Sequence, residues 1–329
     1  MSSLNEKLQA ALDSRRRRNI LRRLPESSSD SETSLVDFVT NDYLSLTSSK
    51  TLRTHLLSEL NKSPAILGSG GSRLLVNPTS HEELEERLRT FFRAPSALLF
   101  NSGFDANAAL FSSVPQIGDI AVFDEFIHAS VHDGLRASRL VQSGGNTDNE
   151  GSKNLLSFSH NSASALRKVL EDTLEKHARR EELRAGTSSV FVAVEALYSM
   201  DGTLAPLPEI VSLLDELFPR GNAHLIVDEA HATGLYGPSG RGLVAHYGLE
   251  DKVFVRLHTF GKALASSGAV ILTSPLVKEY LLNYARSLIY TTALSCSNIV
   301  AINCSFDMLQ NGVADELSNY LQIPHFSPL

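Results

Sequence analysis

The chain has 329 residues, 42% of them hydrophobic, which suffices to bury a large core in two domains or in one large α/β domain. Its formal net charge of −7 argues against a nucleic-acid-binding protein, because phosphate binding draws on clustered basic surface. No run approaches the about 18 apolar residues of a membrane span, so we expect a soluble protein without nucleic-acid or membrane partners. Two cysteines, Cys296 and Cys304, lack metal-ligand spacing, which favours a reducing compartment and no metal site.

The first 50 residues are predicted to form a helix and an arm. Residues 1–24 have the pattern of a basic amphipathic helix that packs on the body or on a partner subunit. A mitochondrial leader is the alternative, although Glu6 and Asp13 count against it. A polar linker is expected over 25–34, and a short strand entering a turn over 36–46.

Beyond the arm, apolar strands and amphipathic helices alternate. Strands are expected at 97–100, 119–123, 190–194, 223–228, 253–259 and 269–272, and helices at 51–62, 80–92, 161–184, 207–218 and 299–320. The helix at 80 opens with a capping-box-like S-H-E-E. Residues 143–152 are polar and are expected to form an exposed loop. The alternation predicts a doubly wound α/β fold with a mostly parallel sheet.

Two of these strands end at ionisable residues. Asp228 ends one strand and is followed by His231, and Lys262 follows the next strand. The apolar neighbours of Lys262 favour its neutral, nucleophilic form, and an amine beside a carboxylate is what a pyridoxal phosphate site needs. A plain surface lysine is the alternative. D-E-A-H also occurs in helicase-type ATPases, but these need an upstream G-x-x-x-x-G-K-[ST] loop that this chain lacks.

Three further segments are candidates for ligand contacts. Ser102, Gly103 and Phe104 lie between a strand and a helix, where free N–H groups and the helix dipole bind phosphate. His128 follows a strand and suits a ring stacked on a cofactor, or equally a capping or core histidine. The Gly-rich stretch 68–73 would approach a ligand or form a plain loop.

Taken together, these motifs make the chain resemble the α-oxoamine synthases, a branch of the fold-type I pyridoxal phosphate enzymes. Their order and spacing, over residues 1 to about 295, carry the resemblance. They are N-D-Y-L at 41–44, G-S-G-G-S at 68–72, S-G-F at 102–104, H-A-S at 128–130, S-M-D-G at 199–202, D-E-A-H at 228–231, T-F-G-K at 259–262 and I-Y-T-T at 289–292.

The resemblance implies a role for each matching residue. Lys262 would bind the cofactor aldehyde and move the substrate proton, Asp228 would pair with the pyridine nitrogen, and His128 would stack on the ring. His231 and Ser199 would contact the ring oxygen, and Ser102, Gly103, Phe104 and Thr259 would contact the phosphate. In a homodimer, Thr291 and Thr292 would contact the phosphate of the neighbouring subunit. Arg22 and Asn41 would contact the acyl substrate.

The family's chemistry implies an acyltransferase. The most similar members condense L-alanine with pimeloyl-CoA, or its carrier-protein equivalent, with decarboxylation, to form 8-amino-7-oxononanoate in biotin biosynthesis. The alternatives are 5-aminolevulinate synthase, 2-amino-3-oxobutyrate CoA ligase, a secondary-metabolite relative, or a non-catalytic dimer partner. Serine palmitoyltransferase is disfavoured by the lack of a membrane segment. We expect a cytoplasmic enzyme, with the mitochondrion and peroxisome as alternatives.

The chain also departs from the family pattern. Ser45, Ala232 and Ala265 replace common glycines, which is tolerable if their φ angles are negative. We expect three regions: an arm (1–50), a pyridoxal-phosphate-binding large domain (51–292), and the start of a truncated C-terminal domain (293–329). Family members run on into a small domain that supplies an arginine for the amino-acid carboxylate, and no residue here is assigned that role.

Overall fold

The computed structural model describes residues 3–24, 37–142 and 154–312. Its contacts divide the chain into residues 1–40 and residues 41–329, and the domain boundaries at 50 and 292 stay predictions. The N-terminal unit contains α1 (Ser3–Arg17), whose Leu4, Leu8 and Leu12 are exposed. The predicted linker 25–34 and loop 143–152 lie outside the described residues.

The second unit is built on a seven-stranded sheet. Its strands are β1 (Ser96–Phe100), β2 (Ile120–Asp124), β3 (Leu155–Phe158), β4 (Val190–Glu195), β5 (Ala223–Asp228), β6 (Val255–Thr259) and β7 (Ala269–Thr273). They lie in the order β1-β7-β6-β5-β4-β2-β3. Six of these strands run in one direction and β7 runs in the opposite direction, so the predicted mostly parallel α/β sheet is confirmed.

Helices cover both faces of this sheet. They are α2 (Lys50–Lys62), α3 (Thr79–Phe91), α4 (Gly103–Ser113), α5 (Ala129–Arg136), α6 (Arg139–Gln142), α7 (Ala163–Lys176), α8 (Arg180–Ala185), α9 (Leu207–Leu217), α10 (Leu243–His246), α11 (Pro275–Tyr284), α12 (Arg286–Ile289) and α13 (Cys296–Gln310). Within the described part of the chain, none of the helices is both long and apolar enough to cross a membrane.

Successive strand residues enter different cores, which explains why the strands are apolar throughout. Val192 and Val194 of β4 pack with α7 and α9, whereas Phe191 and Ala193 pack with α4 and α5 on the opposite face. A third core joins β1 and β7 to α3 and α13. The described part of 293–329 therefore shares a core with the sheet.

Five predicted elements differ from the structure, and two of them are helices that end early: the helix expected over 1–24 ends at Arg17, and the helix expected over 299–320 ends at Gln310. Residues 37–45 form no strand, because the carboxylates of Asp37 and Asp42 accept hydrogen bonds from nearby backbone N–H groups and compete with sheet pairing. The helix near Ser80 has no capping box, since Pro78 is its N-cap residue and no side chain caps it. The helix expected over 161–184 is two helices, α7 and α8, because His177 is extended.

The condition of a negative φ at the replaced glycines is not met at two of the three positions. Ser45 has φ 52° and Ala265 has φ 47°, both in the left-handed region that disfavours residues with a Cβ. Ala232 is not among the described non-glycine residues with positive φ. Ala265 lies three residues after Lys262, so this strained turn directly follows the candidate catalytic lysine.

Candidate active site

The carboxyl ends of the parallel strands bring the site residues together. Asp124, Glu195, Asp228 and Thr259 are the last residues of β2, β4, β5 and β6. These four strands run in the same direction, so their ends meet at one edge of the sheet. This edge is where open α/β sheets bind ligands.

Lys262 lies in the loop after β6 and is hydrogen-bonded to His231. The two nitrogens, Lys262 Nζ and His231 Nε2, are 2.7 Å apart. Burial lowers the pKa of Lys262, against the opposing effect of Asp228 and Glu195. Burial, followed by the nearby Lys262, also lowers the pKa of His231 to about 4. A neutral imidazole therefore accepts a hydrogen bond from the amine.

Tyr43 extends this pair into a chain of four residues. Its hydroxyl lies 2.7 Å from His231 Nδ1 and donates to Asn41 Oδ1 at 3.1 Å. Because the Tyr43 hydroxyl donates its proton to Asn41, it accepts from Nδ1–H of His231, which leaves Nε2 to accept from Lys262. The sequence interpretation quoted Tyr43 within N-D-Y-L but gave it no role.

Asp228 is held by fixed hydrogen-bond donors. Asn107 Nδ2 donates to Asp228 Oδ2 at 2.8 Å and the Ala230 N–H donates to Oδ1 at 2.9 Å. The same Asn107 nitrogen donates to Ser130 Oγ at 3.0 Å. These contacts orient a buried carboxylate, which is the group that pairs with a protonated ring nitrogen. The sequence interpretation gave Asn107 no role.

The start of α4 forms a cradle for an anion. Ser102 is the N-cap residue, and its hydroxyl accepts from the Asp105 N–H at 3.0 Å. The first N–H groups of a helix have no intrahelical acceptor. A Cβ at Gly103 would lie 3.6 Å from Thr259 Cβ, so the helix start and β6 meet here. Exposed Phe104 follows.

Thr291 and Thr292 lie beside this cradle in the same chain. Asn101, which precedes Ser102, donates through Nδ2 to the Thr292 carbonyl at 2.7 Å and to Thr291 Oγ1 at 3.4 Å. Their reach into a neighbouring subunit stays a prediction.

His128 is the N-cap residue of α5. Its Nδ1 accepts from the Ser130 N–H at 3.2 Å, and its ring is exposed and packs edge to face with Phe104. The Nδ1 side of the ring is thus fixed by the helix cap, while the rest of the ring is exposed. His128 can therefore cap α5 and stack on a cofactor ring at the same time.

The loop that carries Ser199 is fixed by a histidine that the sequence interpretation missed. His160 Nδ1 lies 2.9 Å from Asp124 Oδ1, and Nε2 lies 2.9 Å from Asp201 Oδ2. Ser199 itself is exposed. Arg22 belongs to the N-terminal unit, and its substrate contact stays a prediction.

One group of side chains has ligand atoms that suit a metal, yet they already serve another purpose. His55, Cys304 and Asp307 present such atoms within 4.8 Å of one another. His55 Nε2 and Arg87 Nη2 both bind the Asp307 carboxylate, at 2.8 and 2.7 Å. Burial, followed by Asp307, raises the pKa of the Cys304 thiol to about 11, which disfavours the thiolate that binds metals. The group joins α2 and α3 to α13.

These side chains fit pyridoxal phosphate. A buried amine with a lowered pKa, an oriented carboxylate and a helix start with free N–H groups lie at one edge of the sheet. They match the aldehyde, the ring nitrogen and the phosphate of this cofactor.

Comparisons with known proteins agree with the site. The family described as aminotransferase class I and II matches residues 33–321. An 8-amino-7-oxononanoate synthase from Emericella nidulans is 46% identical over 98% of this chain and 74% of its own length. The aminoacyl transferase sphA of Byssochlamys spectabilis is 39% identical over 88% of this chain and 59% of its own.

Solved structures give the same result. The 8-amino-7-oxononanoate synthase from Francisella tularensis has a TM-score of 0.66 at 28% identity, over 88% of this chain and 73% of that chain. Serine palmitoyltransferase from Sphingomonas wittichii has a TM-score of 0.70 at 26% identity, over 86% of this chain and 63% of that chain. The chain spans only part of each relative. It belongs to the aminotransferase class I and II family, in its α-oxoamine synthase branch, and its cofactor is pyridoxal phosphate.

Proposed function

We propose that this protein is a C-acyltransferase that condenses L-alanine with pimeloyl-CoA or a pimeloyl carrier protein, with decarboxylation, to give 8-amino-7-oxononanoate for biotin biosynthesis. The 46% identity to a synthase of that name, over 98% of this chain, carries the choice of reaction. The site supports it, because Lys262, His231 and Asp228 are all at one sheet edge.

Bound pyridoxal phosphate supplies an electron sink for negative charge that develops at the α-carbon of the amino acid. Lys262 supplies the amine that holds the cofactor and then moves the α-proton. Its neutral form suits both tasks, because only an amine with a free lone pair is a nucleophile or a base. Asp228, oriented by Asn107, keeps the ring nitrogen protonated.

The remaining residues bind and orient. The start of α4, with Thr259, binds the phosphate, and the exposed ring of His128 covers one face of the cofactor. His231 and Ser199 contact the ring oxygen, and Arg22 and Asn41 contact the acyl substrate. A homodimer completes the site with Thr291 and Thr292 of the second copy. We expect the enzyme in the cytoplasm.

A second candidate is another α-oxoamine synthase. It is favoured by the 39% identity to an aminoacyl transferase and by the structural likeness to serine palmitoyltransferases. Substrate choice in such a site rests on a few pocket contacts, so one fold serves several acyl chains.

A thioester panel separates these candidates. Thiol release is measured with alanine, glycine and serine, each with pimeloyl-, acetyl-, succinyl- and palmitoyl-CoA. We expect alanine with pimeloyl-CoA to exceed every other pair by about tenfold or more, in line with the discrimination that missing methylene groups provide. Lys262→Ala is the control without chemistry. A preference for glycine with a short acyl chain, or serine with palmitoyl-CoA, would favour the second candidate.

Trapping the cofactor tests the site separately. Borohydride reduction of the holoenzyme is expected to attach the pyridoxyl group to Lys262, found by mass spectrometry of the peptide that contains it. Attachment to another lysine would contradict the assignment whatever the substrate.

A further inference from the structure

Glu195 is an acid of the site to which the proposed reaction gives no role. It is the last residue of β4 and pairs in register with Asp228, the last residue of β5. Parallel strands lie about 4.8 Å apart, and residues in register point to the same face. Glu195 is 5% exposed and Asp228 7% exposed. Two carboxyl groups are therefore side by side and shielded from water.

The groups around Glu195 do not supply enough positive charge to stabilise two carboxylates. Asp124 and Asp228 add negative charge, the phenol of Tyr198 is neutral, and the His128 N–H donates one hydrogen bond to Glu195. Lys262 is the one basic side chain among the described groups that act on Glu195, and burial favours its neutral form.

The hydrogen bonds show which carboxyl group bears the charge. Asp228 accepts from the Asn107 side chain and from the Ala230 N–H, whereas the one donor that acts on Glu195 among the described residues is the His128 N–H. Hydrogen bonds to the ionised form stabilise it, so these donors favour negative charge on Asp228 over Glu195. In agreement, burial, and then the charge of Asp228, raises the pKa of Glu195 to about 8.

We propose that Glu195 is a positioning residue that remains a neutral carboxylic acid in the resting enzyme, so that Asp228 is the one anion facing the ring nitrogen. A second carboxylate beside Asp228 would favour the charged form of Lys262. It would also compete with Asp228 for the protonated ring nitrogen. The purpose of the neutral acid rests on the proposed function, but its titration is a property of the chain without cofactor.

Thermal unfolding of the cofactor-free protein tests the protonation state. The pKa of Glu195 in the folded protein is raised above the ordinary 4.5. Its contribution to the free energy of unfolding is therefore fully present in acid and is lost as pH rises towards about 8. We expect the Tm of the wild type to fall relative to that of Glu195→Gln between about pH 5 and about pH 8, and to remain level above that range. Glu209→Gln, at an exposed glutamate of α9, is the matched control. A Tm difference that stays constant over this range would overturn the proposal.

Carbon-13 labelling of the glutamate carboxyl groups gives a second measurement that needs no variant to fold. We expect one resonance of the wild type to titrate near pH 8, in addition to the buried Glu229, whose pKa burial raises to about 7. Titration of all other glutamates in the ordinary acid range would contradict a neutral Glu195.

Cofactor binding separates this inference from the proposed function. Glu195→Gln copies the neutral acid and is expected to bind pyridoxal phosphate within about threefold of the wild type, whereas Asp228→Asn is expected to lose about tenfold or more, since it removes the anion. Above about pH 8, the absorbance of bound cofactor should change in the wild type but not in Glu195→Gln. If Asp228→Asn binds normally, the proposed function fails; if only the Glu195 results fail, the neutral acid is wrong.

Discussion

Lys262 and His231 are hydrogen-bonded to each other, and this pair governs how the site responds to pH. Each has its pKa lowered first by burial, and Lys262 lowers that of His231 further. A protonated His231 would lie 2.7 Å from the Lys262 nitrogen, where any positive charge on the amine would repel it. We therefore expect His231 to stay uncharged throughout the physiological range.

The pH dependence of stability tests this expectation. The folded pKa of His231, about 4, lies below the ordinary 6.5, so the unfolded chain binds the extra proton between these values and stability rises with pH. Relative to His231→Asn, the free energy of unfolding of the wild type should rise by at most about 3 kcal/mol over this pH interval and should stay level above it. Urea unfolding of the cofactor-free protein measures this, with His246→Asn at an exposed histidine as the control. A constant difference would contradict the lowered pKa.

The left-handed residues give a second test at this scale. Ala265→Gly removes a Cβ at φ 47°, so we expect it to stabilise the protein by about 0.5–1 kcal/mol, the relief of strain exceeding the entropy that glycine loses. Ala232→Gly, where φ is not positive, should destabilise by a similar amount. Denaturant midpoints measure both changes, and equal losses in the two variants would show that residue 265 is unstrained.

The sequence predicts the site residues that directly follow a strand, but not those that are brought to the site by long-range contacts. Lys262 and Asp228 each follow an apolar strand, so a local pattern reveals them. Tyr43 contacts His231 across 188 residues, and Asn107 contacts Asp228 across 121. Without the strand order, no local pattern indicates these pairs, and the register that places Glu195 beside Asp228 is equally a property of the folded sheet.

Among the elements, α4 and α5 set the geometry of the cofactor site, because their N-cap residues are Ser102 and His128. They pack closely at Gly134, where a Cβ would lie 2.8 Å from Phe111 Cβ and 3.0 Å from the Ala108 carbonyl oxygen. The sequence pattern predicted the helix that follows Ser102, Gly103 and Phe104. It did not predict this contact, since periodicity gives the buried face of a helix and not its distance from a neighbour.

Gly134→Ala tests the role of this packing. We expect a loss of about 1–3 kcal/mol, because the added methyl group meets backbone atoms that cannot move aside cheaply. Cofactor affinity should fall as well, since the two helix starts separate. Gly68→Ala, where a Cβ meets no atom within 4 Å, is the matched control for stability. An unchanged unfolding midpoint in Gly134→Ala would mean that the helices separate without cost.

For the whole molecule, the central prediction is that the working unit is a dimer. Leu67, Leu75 and Tyr290 are 77%, 83% and 73% exposed, and the Leu67 carbonyl accepts from the Cys296 N–H, which brings the two exposed segments together. Large apolar side chains that cluster on a surface are typical of an interface. The proposed exchange of Thr291 and Thr292 between subunits would place each cofactor beside this interface.

Mixing two defective variants tests the shared site. Lys262→Ala should be inactive, and the double variant Thr291→Val with Thr292→Val should bind cofactor weakly. If the threonines act on the neighbouring subunit, a mixed dimer has one intact site, and refolding the two together should restore up to about a quarter of wild-type activity. Activity no higher than that of the separate variants would place the threonines in their own subunit's site. Sedimentation velocity of the wild type checks the dimer itself.

The position of β1 in the sheet has a consequence for biosynthesis. The ribosome makes β1 before the other strands, yet its partner is β7, whose paired residues lie up to 177 positions later. During translation, β1 must wait with an unpaired edge until almost the entire sheet has emerged. Nascent chains that stall between β6 and β7 should therefore depend on chaperones, and released fragments that end on either side of residue 273 should differ sharply in protease resistance.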